Sequence, residues 1–283
     1  MPTARSKRPR RKPAAKPRRK PASRRRARPR SDGVARRLFG LLLAGLVLVA
    51  VYQAAAGWFQ ARTAEAVTFD ARRGTLFLPL AEAAHALRWD LEEQGGGVRL
   101  NGRSLPDAHL VRLLDGARMV SLEGLAQAGA EVERETAADA AMVSAGGRRL
   151  RLEKAPQRVE VSLADQRLLA WQGSRLILAT KVSTGRRNST PPGEFKAGPY
   201  KAREHFSKLY NNAPMPWSVQ VNGHIFIHGF SQVPDYPASH GCIRMPLTGG
   251  NPARFFYEWV ERGTPVSILR EALPVSPVPV ARL

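Results

Sequence analysis

Two short runs toward the C-terminal end carry side chains able to do covalent chemistry. They are His224-Ile225-Phe226-Ile227-His228-Gly229 and, after a loop bearing Pro234 and Pro237, Ser239-His240-Gly241-Cys242-Ile243-Arg244. A thiol attacks as its thiolate, and imidazole is the side chain suited to taking its proton near neutrality. His228 ends a β-branched run that reads as a strand, a rigid mount for the ring, and Gly229 and the two prolines allow the chain to fold back toward it. In Ser239-His240-Gly241-Cys242, successive backbone amides can converge beside the sulfur. That is the requirement for an oxyanion hole.

Cys242 is the only cysteine in 283 residues, which excludes an intramolecular disulfide and a Cys-rich metal site. The thiol can still be inert packing, an intermolecular bridge or a reactive group; its place between Gly241 and Arg244 favours the last. His224, His228, His240 and Cys242 could also be read as zinc ligands. However, two histidines four apart suit a helix face, whereas Asn222-Gly223 and the β-branched run argue for a hairpin with His224 and His228 on one strand face. No metal and no cofactor are expected.

The pattern resembles the L,D-transpeptidases with a YkuD-type catalytic domain. The residues that carry the resemblance are His228-Gly229 and Ser239-His240-Gly241-Cys242-Ile243-Arg244, with Val182-Ser183-Thr184-Gly185, Thr190-Pro191-Pro192-Gly193-Glu194-Phe195, Met215-Pro216-Trp217 and Gly263-Thr264-Pro265-Val266. The similarity spans 158–269. It implies a peptidoglycan-cross-linking enzyme in which Cys242 attacks a stem tetrapeptide, releases D-alanine and passes the acyl group to the diamino-acid amine of a second stem, forming a 3→3 link. By the same resemblance His228 is the base, the Gly229 carbonyl orients its ring, the amides of His240, Gly241 and Cys242 form the oxyanion hole, and Arg244, Ser239, Tyr210 and Met215 contact substrate. Carbapenems are the expected acylating inhibitors. An L,D-carboxypeptidase or amidase on the same scaffold, and a non-catalytic wall-binding protein, are the alternatives.

The elements that must position these groups lie in a chain of uneven composition. Of the 45 Lys and Arg, 17 fall within the first 37 residues against the single acid Asp32, so 16 of the 22 net positive charges sit there. Low-complexity Arg, Lys, Pro and Ala cannot bury enough to fold, so 1–37 reads as a disordered cytoplasmic tail, without the aromatics that would favour nucleic acid as partner. The charge-free run 38–58 is long enough to span a bilayer as a helix, and the basic flank puts everything after Trp58 outside the cytoplasm. A cleaved signal peptide ending near Ala54-Ala55-Ala56 is the rival reading, and export follows from both. The protein is therefore expected in the bacterial envelope, held to the inner membrane by 38–58 with its catalytic domain in the periplasm.

From 66 to 153 two diverged copies of one unit are legible. Leu76-Phe77-Leu78-Pro79-Leu80 matches Arg118-Met119-Val120-Ser121-Leu122, and each is followed by a short helical stretch, alternating segments and a turn-strand ending. This loosely resembles the stalk modules named after the amino-terminal domain of copper amine oxidases, with no copper implied. Alternating runs, turn residues and one amphipathic helix capped by Asn251 and stopped at Gly263 make 157–270 a β-sandwich, followed by a Pro-rich tail at 271–283. The fold expected is mainly β: a small α+β module and then a β-sandwich catalytic domain with one main helix, behind a single N-terminal transmembrane helix.

Overall fold

The computed structural model describes residues 62–135 and 139–273, together with Leu46. The basic tail 1–37, the run 38–58 apart from Leu46, and all but the first three residues of 271–283 lie outside the described residues. Among the described residues no helix is long and apolar enough to cross a membrane. The fold is mainly β, with three short α-helices, Leu80–Leu87, Leu122–Gln127 and Pro252–Trp259, among the described residues.

The N-terminal module repeats one succession twice. Strand Phe77–Pro79, helix Leu80–Leu87 and the meander Leu91–Gln94, Gly97–Leu100, Arg103–Leu105 form the first copy. Strand Arg118–Ser121, helix Leu122–Gln127 and the meander Glu131–Glu135, Ala140–Ala145, Arg148–Lys154 form the second. The two leading strands pair antiparallel, Leu78 opposite Val120, so each copy covers the apolar face that the other could not bury alone. Leu78, Leu80, Leu100, Leu122, Leu125 and Leu152 fill the resulting core. The strand Arg62–Ala66 adds in parallel to Arg148–Lys154.

The following domain stacks two sheets. One runs in the order Arg175–Lys181, Arg167–Gln172, Gln157–Ser162, Pro265–Leu269, Gly193–Lys196; the other in the order Lys201–Ala202, Ser218–Asn222, Ile225–Phe230, Ile243–Pro246. Val161, Leu168, Ile227, Ile243, Met245, Phe256 and Trp259 are all fully buried in its core. The Asn251 side chain caps the helix by accepting from the Arg254 amide at 3.0 Å, with Pro252 in the first turn. The helix ends at Trp259, four residues before the expected stop at Gly263. Gln157 explains the early end: its Nε2 donates to the Trp259 carbonyl at 3.1 Å and its Oε1 accepts from the Glu261 amide at 2.9 Å, replacing the next helical bonds.

A second departure concerns the hairpin formed by Ser218–Asn222 and Ile225–Phe230. Val219 pairs with Ile227, Gln220 with Phe226 and Asn222 with Ile225, leaving Val221 as a bulge. The turn is therefore Gly223-His224 rather than Asn222-Gly223. His224 leaves the strand face expected to carry it beside His228, because one extra residue in a strand shifts its neighbours by half a pleat.

The module is part of the same packed body as the sandwich. Val67, Phe69, Phe77, Leu113 and Met119 join the sandwich core, and Phe69 meets Phe255 of the helix edge-on at 6.1 Å. Beneath them runs a polar seam in which Gln172 Nε2 donates to Thr68 Oγ1 at 2.9 Å and Thr68 Oγ1 donates to Glu261 at 2.6 Å. Lys201 completes the junction. Its ammonium, with the side chain 3% exposed, donates to Asp70 Oδ2 at 2.6 Å and to the carbonyls of Tyr257 and Val260 at 2.9 and 2.5 Å. Three donors meet three acceptors, which is how a buried lysine is tolerated. Replacing Lys201 by Met leaves the Asp70 carboxylate only its exposed partner Arg73, at 2.6 Å, and is expected to cost about 3 kcal/mol, whereas Lys201→Met with Asp70→Leu costs markedly less. Urea denaturation checks this; equal losses in the single and double variants would contradict it.

Candidate active site

The strand Ile225–Phe230 pairs in parallel with Ile243–Pro246, setting His228 opposite Arg244 and Ile227 opposite Ile243. A parallel pair needs a crossover between its strands, and here the loop 231–242 supplies it. Cys242 is thus the last residue before the strand next to that of His228.

The loop that delivers the cysteine is tied down by the segments on its other side. Ser183 and Arg244 exchange backbone bonds at 3.0 and 2.9 Å, and the amides of Ala238 and Ser239 both donate to the Thr184 carbonyl at 3.0 Å. Thr190 Oγ1 accepts from the Gly185 amide at 2.7 Å and donates to the Gly241 carbonyl at 2.6 Å. Gln166, buried beneath, accepts from the Thr184 amide at 2.8 Å. Glycine is needed at both contact points. A Cβ on Gly185 would lie 2.8 Å from the Gly241 Cα, and Gly241 itself has φ +147° with the Ser189 carbonyl beside it. In the sequence, Ser183-Thr184-Gly185 and Thr190 stand as motif residues without a task; their task is holding this loop.

The His228 ring is buried, with Nδ1 2.9 Å from the Gly229 carbonyl. A carbonyl can only accept, so Nδ1 carries the proton and Nε2 keeps its lone pair, the tautomer a base requires. Burial pushes the imidazole pKa down to about 4, and the nearby Arg244 charge adds to that, against the Gly229 bond. Burial also pushes the Cys242 thiol up, partly offset by the Phe226 amide and by Arg244. The resting pair is therefore a neutral thiol and a neutral imidazole. The thiol donates weakly to the His224 carbonyl at 3.5 Å, so His224 touches the sulfur through backbone and not through its ring.

The remaining expected site residues divide. His240 stacks on Tyr210 with ring centres 4.5 Å apart, and its Nε2 accepts from Arg186 at 2.6 Å. Tyr210 is exposed and hangs over the cysteine loop from a flap whose base is the ladder Phe206–Ser207 with Ala213–Pro214. Arg244 lies over the Phe230 ring at 4.0 Å and acts on both Cys242 and His228. Ser239 and Met215 differ from expectation as substrate contacts. Both are buried: Ser239 Oγ donates to the Cys242 carbonyl at 2.5 Å, and the Met215 amide donates to the His205 carbonyl at 2.7 Å under the flap. The oxyanion hole also needs correcting. The Gly241 amide is committed to Ser239 Oγ at 3.0 Å, which leaves those of His240 and Cys242 as the donors of that loop. His205, given no part on sequence grounds, stacks on Phe226 at 5.0 Å and bears electrostatically on His228. Its signal was faint, a lone histidine in an irregular stretch.

A cavity of about 500 Å³ lies along the seam with the module, lined by Thr68, Asp70, Arg134, Lys154 and Glu261 among others, and does not include Cys242. Size alone would make it the first candidate. The thiol and imidazole brought together by adjacent strands decide otherwise.

The domain that holds Cys242 and His228 is similar to known proteins. Residues 156–268 match the YkuD family, the L,D-transpeptidase catalytic domain. The match covers the sandwich domain, including the strands on either side of the cysteine loop. Among solved structures it is similar to the L,D-transpeptidase (Yku) of Stackebrandtia nassauensis, with 25% identity over 42% of this chain and 59% of that one and a TM-score of 0.37. It is similar too to the L,D-transpeptidase of Xylanimonas cellulosilytica, with 29% identity over 40% and 60% and a TM-score of 0.35. An L,D-transpeptidase of Mycobacterium tuberculosis matches at 12% identity over 75% and 95%, TM-score 0.38. The chain spans about three-fifths of the length of the first two. No curated protein matches it.

The neutral resting pair has a direct consequence. Because burial raises the thiol and lowers the imidazole, the iodoacetamide alkylation rate of Cys242 should keep climbing past pH ~8.5, where a free thiol is half ionised. A rate that levels off near pH 5–6 would instead reveal a preformed thiolate–imidazolium pair and contradict the assignment (an ion pair titrates at roughly pH 3–4, as in other paired cysteines).

Proposed function

We propose that this protein is a peptidoglycan L,D-transpeptidase that forms 3→3 cross-links through a thioester on Cys242. The observation that carries the reading is the match of 156–268 to the L,D-transpeptidase catalytic domain, with the sole thiol next to the strand that bears a neutral, correctly tautomerised His228.

In this reading the steps use the chemistry of the groups the strands bring together. The sulfur attacks the carbonyl that joins the diamino acid to the terminal D-alanine of a tetrapeptide stem, while His228 Nε2 takes the thiol proton. The carbonyl oxygen becomes an oxyanion facing the amides of His240 and Cys242. When the C–N bond breaks, the imidazolium returns its proton to the departing amine and D-alanine leaves. The side-chain amine of a second stem then attacks the thioester, His228 takes a proton from it, and the thiol is regenerated as the new amide forms. A low basal imidazole pKa disfavours charging before substrate arrives, so ionisation is coupled to the attack. Arg244 and Tyr210 border the path of the stem peptide.

In the same reading the chain is exported, its basic tail stays in the cytoplasm and 38–58 holds it in the membrane, so that the catalytic domain meets the wall from the outer face. The wall peptides are its partners, with the tetrapeptide as donor and a diamino-acid amine as acceptor.

The test is product analysis. With disaccharide tetrapeptide, wild type should release D-alanine and yield a dimer one D-alanine lighter than two monomers. Cys242→Ala should give none, and His228→Ala should be slower by roughly 10²–10⁴-fold. Tripeptide without dimer would replace cross-linking by carboxypeptidase action; a Cys242→Ala protein with half the wild-type rate would remove the cysteine from the mechanism.

A further inference from the structure

Away from Cys242 the module holds a concentration of positive charge that its own fold does not explain. Arg112 and Arg118 sit directly opposite each other in the ladder Leu110–Arg112 with Arg118–Ser121. Like charges in that relation destabilise a strand pair. Arg72, from the short turn Asp70–Arg72, joins them around a cavity of about 440 Å³ that also reaches Gly96 and has one acidic lining residue, Asp107.

The guanidinium groups are incompletely partnered. Arg118 has 18% of its side chain exposed, and its nearest carboxylate, Glu93, is 3.9 Å from Nε. Its Nη1 is buried and has no acceptor among the described residues. A buried charged donor left without an acceptor is costly and calls for an explanation. Arg72 spends Nη1 on the carbonyls of Ala108 and Leu110, both at 3.1 Å, which fixes the group in place while leaving its other nitrogens available.

We propose that this cavity is an oxyanion-binding site, taking a carboxylate or phosphate group between Arg72, Arg112 and Arg118. A planar guanidinium recognises both anions through paired N–H bonds, and three converging on one space reinforce one another. An oxyanion there offsets the Arg112–Arg118 repulsion and supplies charge to the under-partnered Arg118. Asp107 on the same wall suits a ligand with an ammonium near its acid group, as a peptide of the wall has. In that form the site would give the module a hold on the polymer whose stems reach Cys242. The oxyanion site itself rests on the arginines alone, while the wall peptide as its source rests on the function proposed above.

Thermal denaturation of the full chain tests it, at fixed ionic strength with chloride exchanged for inorganic phosphate, and separately with disaccharide tetrapeptide on a Cys242→Ala background. A saturable rise in Tm with either probe is expected, and Arg112→Gln should weaken the apparent affinity about 10-fold or more, as loss of a charge-assisted bond implies. Arg112 is exposed, so its variant should fold; Arg118→Gln is the second. A response to tetrapeptide and phosphate alike identifies an oxyanion site that accepts the wall peptide, and a response to phosphate alone gives the site a phosphate-bearing source. No rise above chloride with either probe, or equal rises in wild type and both variants, overturns the proposal. Because the readout is Tm and not turnover, its failure leaves the activity of Cys242 untouched, and loss of turnover leaves this site untouched.

Discussion

The parallel register between Ile225–Phe230 and Ile243–Pro246 is the constraint from which the site follows. It fixes His228 against Arg244, and so fixes how far beyond the strand end Cys242 can lie. Everything around it keeps that register. Gly185 and Gly241 allow two backbones to approach closer than any Cβ would permit, and Thr190 bonds both across the gap. Gly229 has a comparable duty on the opposite side, since a Cβ there would strike Leu247 and press on Ala253 of the helix. The carbonyl of the same residue selects the His228 tautomer. One glycine thus serves packing and protonation together.

Burial sets the electrostatic character of the two groups. Water stabilises both the thiolate and the imidazolium; partial loss of it penalises each charged form separately, so the proton stays on sulfur at rest. Arg244 is the modest counterweight. Its charge favours the thiolate while disfavouring the imidazolium, and stacking on Phe230 keeps it in place. A thiol kept protonated at rest is less reactive and less open to oxidation.

Much of this was legible in the sequence where local rules decide. Asn251-Pro252 marks a helix start because capping depends on one side chain and one ring. Alternation over 159–163 and 168–171 about Ala164-Asp165-Gln166 makes a hairpin legible, and the strands found there are 157–162 and 167–172. Cys242 and His228 stand out in the sequence because few residue types can do such chemistry, and the parallel strands set them on neighbouring elements. The features that sequence did not reveal depend on contacts distant along the chain. Gln157 ends the helix from 102 residues away through its bond to the Trp259 carbonyl. The bulge at Val221 shifts His224 out of its strand. Ser239 turned inward because its hydroxyl is needed by two backbone groups of its own loop. The module shows the same division: its internal repeat is visible in the pattern, whereas its docking through Thr68, Phe69 and Asp70 hangs on partners more than 100 residues later.

The central claim is that Cys242 carries the acyl group, and the intermediate itself is the most direct witness. Wild-type protein mixed with disaccharide tetrapeptide, without an acceptor amine, should be quenched in acid within the first turnover and digested at low pH, where a thioester survives. The peptide containing Cys242 should then gain the mass of the donor less D-alanine, and hydroxylamine should remove it. An unmodified Cys242 peptide while D-alanine is released, or the same mass found on another residue, would contradict the account.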